Sequence, residues 1–398
     1  MDGQGRTTMW LSSLYFAKGM PRVVVFVIAL LLFRQMGFRV GEALCGVSLF
    51  YLPWVLKVWW KPFVDTTLTC RHWILTTQFL ISLTFALLAF SLSVRWLMWL
   101  LLIGLSWLTA MHNVAADGFA RLRPLASHHS VVQELFRKFS MVVGQGMLLV
   151  LVGNIQVFYR RDMLYSWRVL FYLLAGFYLF LLIWHVWMLP RRRTAHHEEQ
   201  EQAPLIIYHT CLSSIVFLLC YAFAQGMVAK VSVLFLMDTY SNGGLGLSPQ
   251  EFGFVMGLVG ITALTVGGLL GTKTIARFGF ARCLWPMTVV MLIPCSVYVA
   301  LSYWQPRELF VVASSVLVEQ LAYGFGFALY LSFLKHTAHR EKGKSLMALS
   351  LLLGCLISGP LLQLMGYNAF FVTALIVSVL TLLASCSLLL YPQTSLER

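Results

Sequence analysis

Apolar residues in this chain come in runs of about 20, the length an α-helix needs to cross a hydrocarbon core. The runs lie near 10–33, 42–60, 73–91, 96–119, 131–156 and 167–189, separated by short polar breaks. A hydrophilic stretch from Arg191-Arg192-Arg193 through His196-His197-Glu198-Glu199 then interrupts the pattern. Six more runs follow, near 210–237, 250–271, 281–302, 308–334, 345–366 and 368–391. This predicts an all-α integral membrane protein of twelve transmembrane helices. The predicted division is an N-terminal six-helix bundle over 1–190, a linker over 191–205 and a C-terminal bundle over 206–398. The first run contains Phe16-Ala17-Lys18-Gly19-Met20 and the seventh contains Phe223-Ala224-Gln225-Gly226-Met227. The two copies fall at similar depth, where a duplicated six-helix unit would put them.

Composition agrees with the pattern. Of 398 residues, 59% are hydrophobic and 11% charged, with a mean hydropathy of +0.79. A soluble domain carries about 25% charged residues, so a soluble fold is excluded, as are a disordered chain and a disulfide scaffold. The net charge of +14 divides unevenly among the loops. With both termini inside, the inner segments hold Arg6, Lys61, Arg71, Arg121, Arg123, Arg191 to Arg193, Lys273, Arg277, Arg282, Lys335, Arg340, Lys342, Lys344 and Arg398. The outer segments hold Arg34, Arg39, Arg95, Arg160, Arg161, Arg168 and Arg307. That is 16 against 7, the asymmetry that fixes cytoplasmic loops. No nucleic-acid partner is needed to explain the charge. The eight cysteines form no C-x-x-C pair and are read as small packing residues.

Charges at mid-bilayer are costly, about 2.5–3.5 kcal/mol each on an insertion scale, so they are functional candidates. Lys18 lies about 12 Å into its span at 1.5 Å per residue. Arg22 follows one turn later on the same face, and Glu319 lies near the middle of the tenth span. A structural ion pair is the plain alternative. Lys57 and Lys230 are shallower; snorkelling to the interface accounts for Lys57 and in part for Lys230. Asp117 is too short to do so, and Arg121 stands one turn away. Polar residues at similar depth are Asn113, Gln145 within Gly144-Gln145-Gly146, Gln225 and Gln320. Tyr15 and Tyr323 lie beside Lys18 and Glu319 by helical spacing. Together Lys18, Arg22, Tyr15, Asn113, Gln145, Gln225, Gln320 and Tyr323 form the expected substrate set, with Glu319 and Asp117 for proton coupling. No nucleophile–base pair, phosphate loop or metal-ligand cluster stands out, so neither an enzyme nor a metal or organic cofactor is expected.

Two six-span halves with a midplane site describe the major facilitator architecture. The loop Gly268 to Arg282, with Arg277 and Arg282, resembles the glycine-and-basic loop that such proteins place between the second and third helices of each half. Its N-terminal counterpart keeps Asp65 and Arg71. These four residues are the expected gating charges. The segment Leu52-Pro53-Trp54-Val55-Leu56-Lys57-Val58-Trp59-Trp60-Lys61-Pro62-Phe63-Val64-Asp65 resembles the second-span signature of AmpG-type muropeptide permeases. Ala110 to Phe119, Glu319-Gln320 through Gly326, and Leu349 to Gly366 are similar to that family's fourth, tenth and eleventh spans. Where the family pattern has two aspartates in the fourth span, this chain has Asn113 and then Asp117. The resemblance implies a monomeric importer of small anionic glycans or glycopeptides in a bacterial inner membrane. It would contact the lipid bilayer alone and be driven by a proton gradient instead of a cofactor. A major facilitator exporter or importer of another organic anion, drug or siderophore is the competing reading, and a membrane-embedded enzyme a remote one.

Overall fold

A computed structural model describes residues 3–121, 127–159, 163–190, 212–336 and 340–390. The expected linker, 191–205, lies outside the described residues. Every regular element among the described residues is helical. In the order of the chain the spans are α1 (Thr7–Gln35), α2 (Val40–Val55 with Lys57–Thr67), α3 (Cys70–Ser91), α4 (Arg95–Arg121), α5 (Val131–Phe158) and α6 (Met163–Met188). They continue as α7 (Ile215–Met237), α8 (Pro249–Phe278), α9 (Phe280–Trp304) and α10 (Leu309–Leu334). The last helical stretch, Lys342–Ser385, runs 44 residues. That is about 66 Å at the α-helical rise, twice a hydrocarbon core of about 30 Å. Gly366, at φ 69° and ψ 178°, breaks it, giving α11 (342–365) and α12 (367–385). With α2 bent by 53° near Leu56, the expected twelve spans are all present.

The helices gather into two compact units, Met1–Met36 with Leu56–Glu198 and Gly37–Val55 with Glu199–Arg398. The first half of α2 therefore goes with the second unit and the remainder with the first. Inside each unit the sequence repeat takes an equivalent place. Gly19 lies so close to α5 that an added Cβ would strike the Ser140 side chain, while Gly144 abuts Met20 and Val23. In the second unit a Cβ on Gly226 would meet the Leu351 backbone at 2.9 Å, and one on Gly354 would meet the backbone of Phe223 and Met227. Each unit thus packs its first span against its fifth through small residues, as helices in lipid tend to do. Gly267 and Gly324 likewise bring α8 and α10 into backbone contact.

Among the described residues, three spans contain a widened, π-helical turn: Val24–Ile28 in α1, Val142–Met147 in α5 and Gly253–Gly260 in α8. Such turns insert one extra residue into the helical ladder and are often found at functional sites. Those of α1 and α5 touch each other.

Candidate functional site

In the first unit the site is built on α1, and its placement begins with Pro21. Proline has no N–H, so the carbonyl four residues back loses its helical donor. That carbonyl belongs to Ala17, and the buried Tyr178 hydroxyl of α6 donates to it at 2.5 Å. The backbone is thereby fixed one residue before Lys18. From Ala17 to Phe33 every α1 residue is buried except Lys18, which is half-buried, and Arg22, which is exposed. The two charges therefore open onto one face of an otherwise enclosed helix.

The Lys18 ammonium pairs with Oδ1 of Asp117 on α4. The Tyr15 hydroxyl donates to that same oxygen at 3.2 Å, and the ammonium lies 5.0 Å from the Tyr15 ring centroid. Arg22 extends over the Phe26 ring at 5.9 Å. Further cations surround the pair. Lys57 and Arg137 act on Lys18 as like charges, and Lys138 of α5 does so on Arg22. Arg137 is itself bound to Glu134, with Nε donating to Oε2 at 2.8 Å. Lys57 thus belongs to this group of charges, beyond the interface role its depth suggested.

Asn113 lies one turn from Asp117 on α4; it is buried, and its Oδ1 has no hydrogen-bond partner among the described residues. The neighbouring His112 is buried too, with Nδ1 3.1 Å from the Thr77 hydroxyl and Nε2 unpartnered. A second buried histidine, His185 of α6, is fully engaged. Its Nε2 lies 3.0 Å from Ser13 Oγ and its Nδ1 2.8 Å from the Gln78 amide. Gln145 is buried within the widened turn of α5.

In the second unit Glu319 is 5% exposed and its partners are neutral. The Tyr298 hydroxyl donates to Oε2 at 3.5 Å, and the Gln320 amide also reaches the carboxylate. Tyr298 stacks on Phe371 with centroids 5.3 Å apart and planes at 18°. Tyr323 packs beside Phe327 at 5.3 Å, and Gln225 is buried on α7. Lys230, one to two turns further along α7, is buried as well. The expected gating charges lie at helix ends. Asp65, Arg277 and Arg282 are exposed, with Arg277 5.4 Å from the Phe278 ring. Arg71 donates to the carbonyls of Val186 at 2.9 Å and Leu189 at 3.4 Å, capping the C-terminal end of α6 as basic side chains do.

Sequence reasoning found Lys18, Arg22 and Glu319 by depth but not Arg137, Lys138, Tyr298 or His185. The first two stand visibly inside an apolar run; the last two look like ordinary aromatic and span-end residues until their partners are known. The chemistry available is anion binding in the first unit and an enclosed carboxyl in the second. No group of three or more potential metal ligands occurs among the described residues.

The family model described as Major Facilitator Superfamily matches residues 11–359. Among solved structures, the chain is similar to the nucleoside transporter NupG, with TM-score 0.71 and 13% identity over 97% of this chain and 99% of that one. A bacterial homolog of the human lysosomal transporter Spinster gives TM-score 0.69 and 15% identity, covering 97% of this chain and 96% of that one. A structure of proton dependent oligopeptide transporters gives TM-score 0.69 and 12% identity, over 96% and 99%. At such identities the likeness is one of fold.

Proposed function

The chain belongs to the Major Facilitator Superfamily, and from that premise we propose that it imports anionic cell-wall-derived sugars or muropeptides across a bacterial inner membrane by proton symport. The observation that carries this reading is the pair of openings in α1: Lys18 and Arg22 are the two residues between Ala17 and Phe33 that are not buried. A basic side chain inside a bilayer that is not enclosed by protein belongs in a water-filled cavity. An anionic cargo is what such a cavity attracts.

In this reading the cargo's carboxylates meet Lys18 and Arg22. Tyr15, Asn113, Gln145, Gln225, Gln320 and Tyr323 supply hydrogen bonds and stacking surface to its sugar or peptide. Asn113 is suited to this, because a buried acceptor without a partner gains a full hydrogen bond from a ligand. The proton is carried by Glu319, or by Asp117, with Asp65, Arg71, Arg277 and Arg282 acting at the gates. The transporter works as a monomer in the bilayer and draws its energy from the proton gradient.

Uptake of a radiolabelled muropeptide into proteoliposomes holding the purified full-length chain tests this. Wild type accumulates it under an inward proton gradient, and Lys18→Ala raises KM or lowers the rate by at least about tenfold, the loss of one charge-assisted contact of 1.4 kcal/mol or more. Unchanged uptake by Lys18→Ala sinks the anion site. Unchanged uptake after the gradient is collapsed sinks the coupling.

A further inference from the structure

The Lys18–Asp117 pair is built differently from an ion pair that merely pins two helices together. Its side chains are 14% and 33% exposed, and it stands one turn from the exposed Arg22. A single carboxylate oxygen, Oδ1, receives both the ammonium and the Tyr15 hydroxyl. The pair also lies in a strongly unbalanced field. Lys57 and Arg137 act on Lys18, and Lys57 acts on Asp117 as well. The other carboxylate of this region, Glu134, is already held by Arg137. Asp117 is thus the internal anion on Lys18, at a place open enough for another anion to reach.

We propose that Asp117 is a displaceable counter-ion, holding on Lys18 the place that the cargo's anionic group takes, so that cargo entry and release of the Asp117 carboxylate are one event. The inference rests on the anionic-cargo reading above and adds how the site admits an anion and refuses a neutral molecule. A bare ammonium inside the bilayer is costly, and so is an unpartnered carboxylate. Exchange of one anion for another never leaves Lys18 bare. Asp117, once released, keeps the Tyr15 hydroxyl and remains in the field of Lys57. An uncharged cargo offers Lys18 nothing to replace Asp117 and leaves the pair closed, which is selection by the cost imposed on the wrong ligand. Because Asp117 acts through Lys18, it is a positioning residue and the competitor of the cargo at the same time.

The prediction is unusual for a residue that touches the site: removing its charge tightens binding. The test uses the purified full-length chain in detergent and follows its thermal unfolding against citrate and pyrophosphate at constant ionic strength, with glucose as the uncharged control. Wild type is stabilised by the anions and not by glucose. Asp117→Asn, which keeps the side-chain volume, reaches half-maximal stabilisation at about threefold to tenfold lower anion concentration, the scale of one partly exposed charge contact. Asp117→Glu returns toward wild type, and Lys18→Gln abolishes the anion effect in both backgrounds. Should Asp117→Asn not yield folded protein, Asp117→Ser reads the same exchange. An unchanged or higher half-maximal concentration in the neutral variants, with the Lys18→Gln loss intact, overturns the counter-ion while leaving the anion site standing. Absence of any anion effect in wild type and neutral variants alike overturns both.

Discussion

Glu319 sits among neutral partners, and that sets it apart from Asp117 and Glu134 of the first unit. Asp117 has Lys18, and Glu134 has Arg137; Glu319 has the Tyr298 hydroxyl and the Gln320 amide. A carboxyl so placed is suited to carrying a proton, the role proposed for it. Glu319→Gln keeps the volume and most hydrogen bonds but has no ionisable group to bind and release a proton. It is expected to abolish gradient-driven accumulation while leaving cargo exchange between the two sides of a vesicle within about twofold of wild type. Counterflow against net uptake measures the split, and an equal loss of both would remove Glu319 from the proton path. What was legible in the sequence at this scale is depth. Lys18, Arg22 and Glu319 declare themselves by lying far from either end of an apolar run. Their partners do not, because Asp117 is 99 residues from Lys18 and no local spacing connects them. Tyr298 is one of 15 tyrosines, and only the packing of α9 against α10 selects it.

At the scale of the element, each span was readable because hydrocarbon imposes a length and an apolar composition on anything that crosses it. The five-residue repeat around Lys18-Gly19 and Gln225-Gly226 was readable too, and packing supplies its reason: both glycines stand where the first span of a unit meets the fifth. Gly226→Leu should therefore be severely destabilising, since its Cβ would lie 2.9 Å from the Leu351 backbone and backbone cannot rotate away. A loss of about 1–3 kcal/mol or more is expected from such overpacking, read as a lower unfolding temperature in detergent. Gly104→Ala is the matched control. Nothing lies within 4 Å of its Cβ position, so the better helix propensity of alanine leaves stability unchanged or raised by up to about 1 kcal/mol. The widened turns were not legible. One extra residue in a turn changes neither the composition nor the length of an apolar run enough to be noticed, and the face that every later residue presents shifts with it.

The whole molecule divides its chemistry between two units. The first holds Lys18, Arg22, Lys57, Arg137 and Lys138 within its spans, and the second holds Glu319 among neutral groups together with the buried Lys230 of α7. Hydropathy alone predicts the spans, because it reports the solvent around each helix. It could not show that the first half of α2 keeps company with the second unit, which is decided by packing among residues far apart in the chain. One consequence of the widened turn in α1 concerns length. The N-terminal half of α1 is anchored at Ala17 by Tyr178, and its C-terminal end at Gln35, whose Oε1 accepts from Gln156 at 2.9 Å and from Trp167 at 2.8 Å. Between these anchors α1 carries one residue more than a regular helix would use. Removing Val25 would restore regular winding and rotate the two ends against each other by about 100°. Either Gln35 would then miss its partners or Lys18 and Arg22 would turn away from their opening. The shortened chain is expected to unfold at a lower temperature or to lose its response to anions. That surplus residue is the slack that lets one helix be bolted at both ends and still aim its charges.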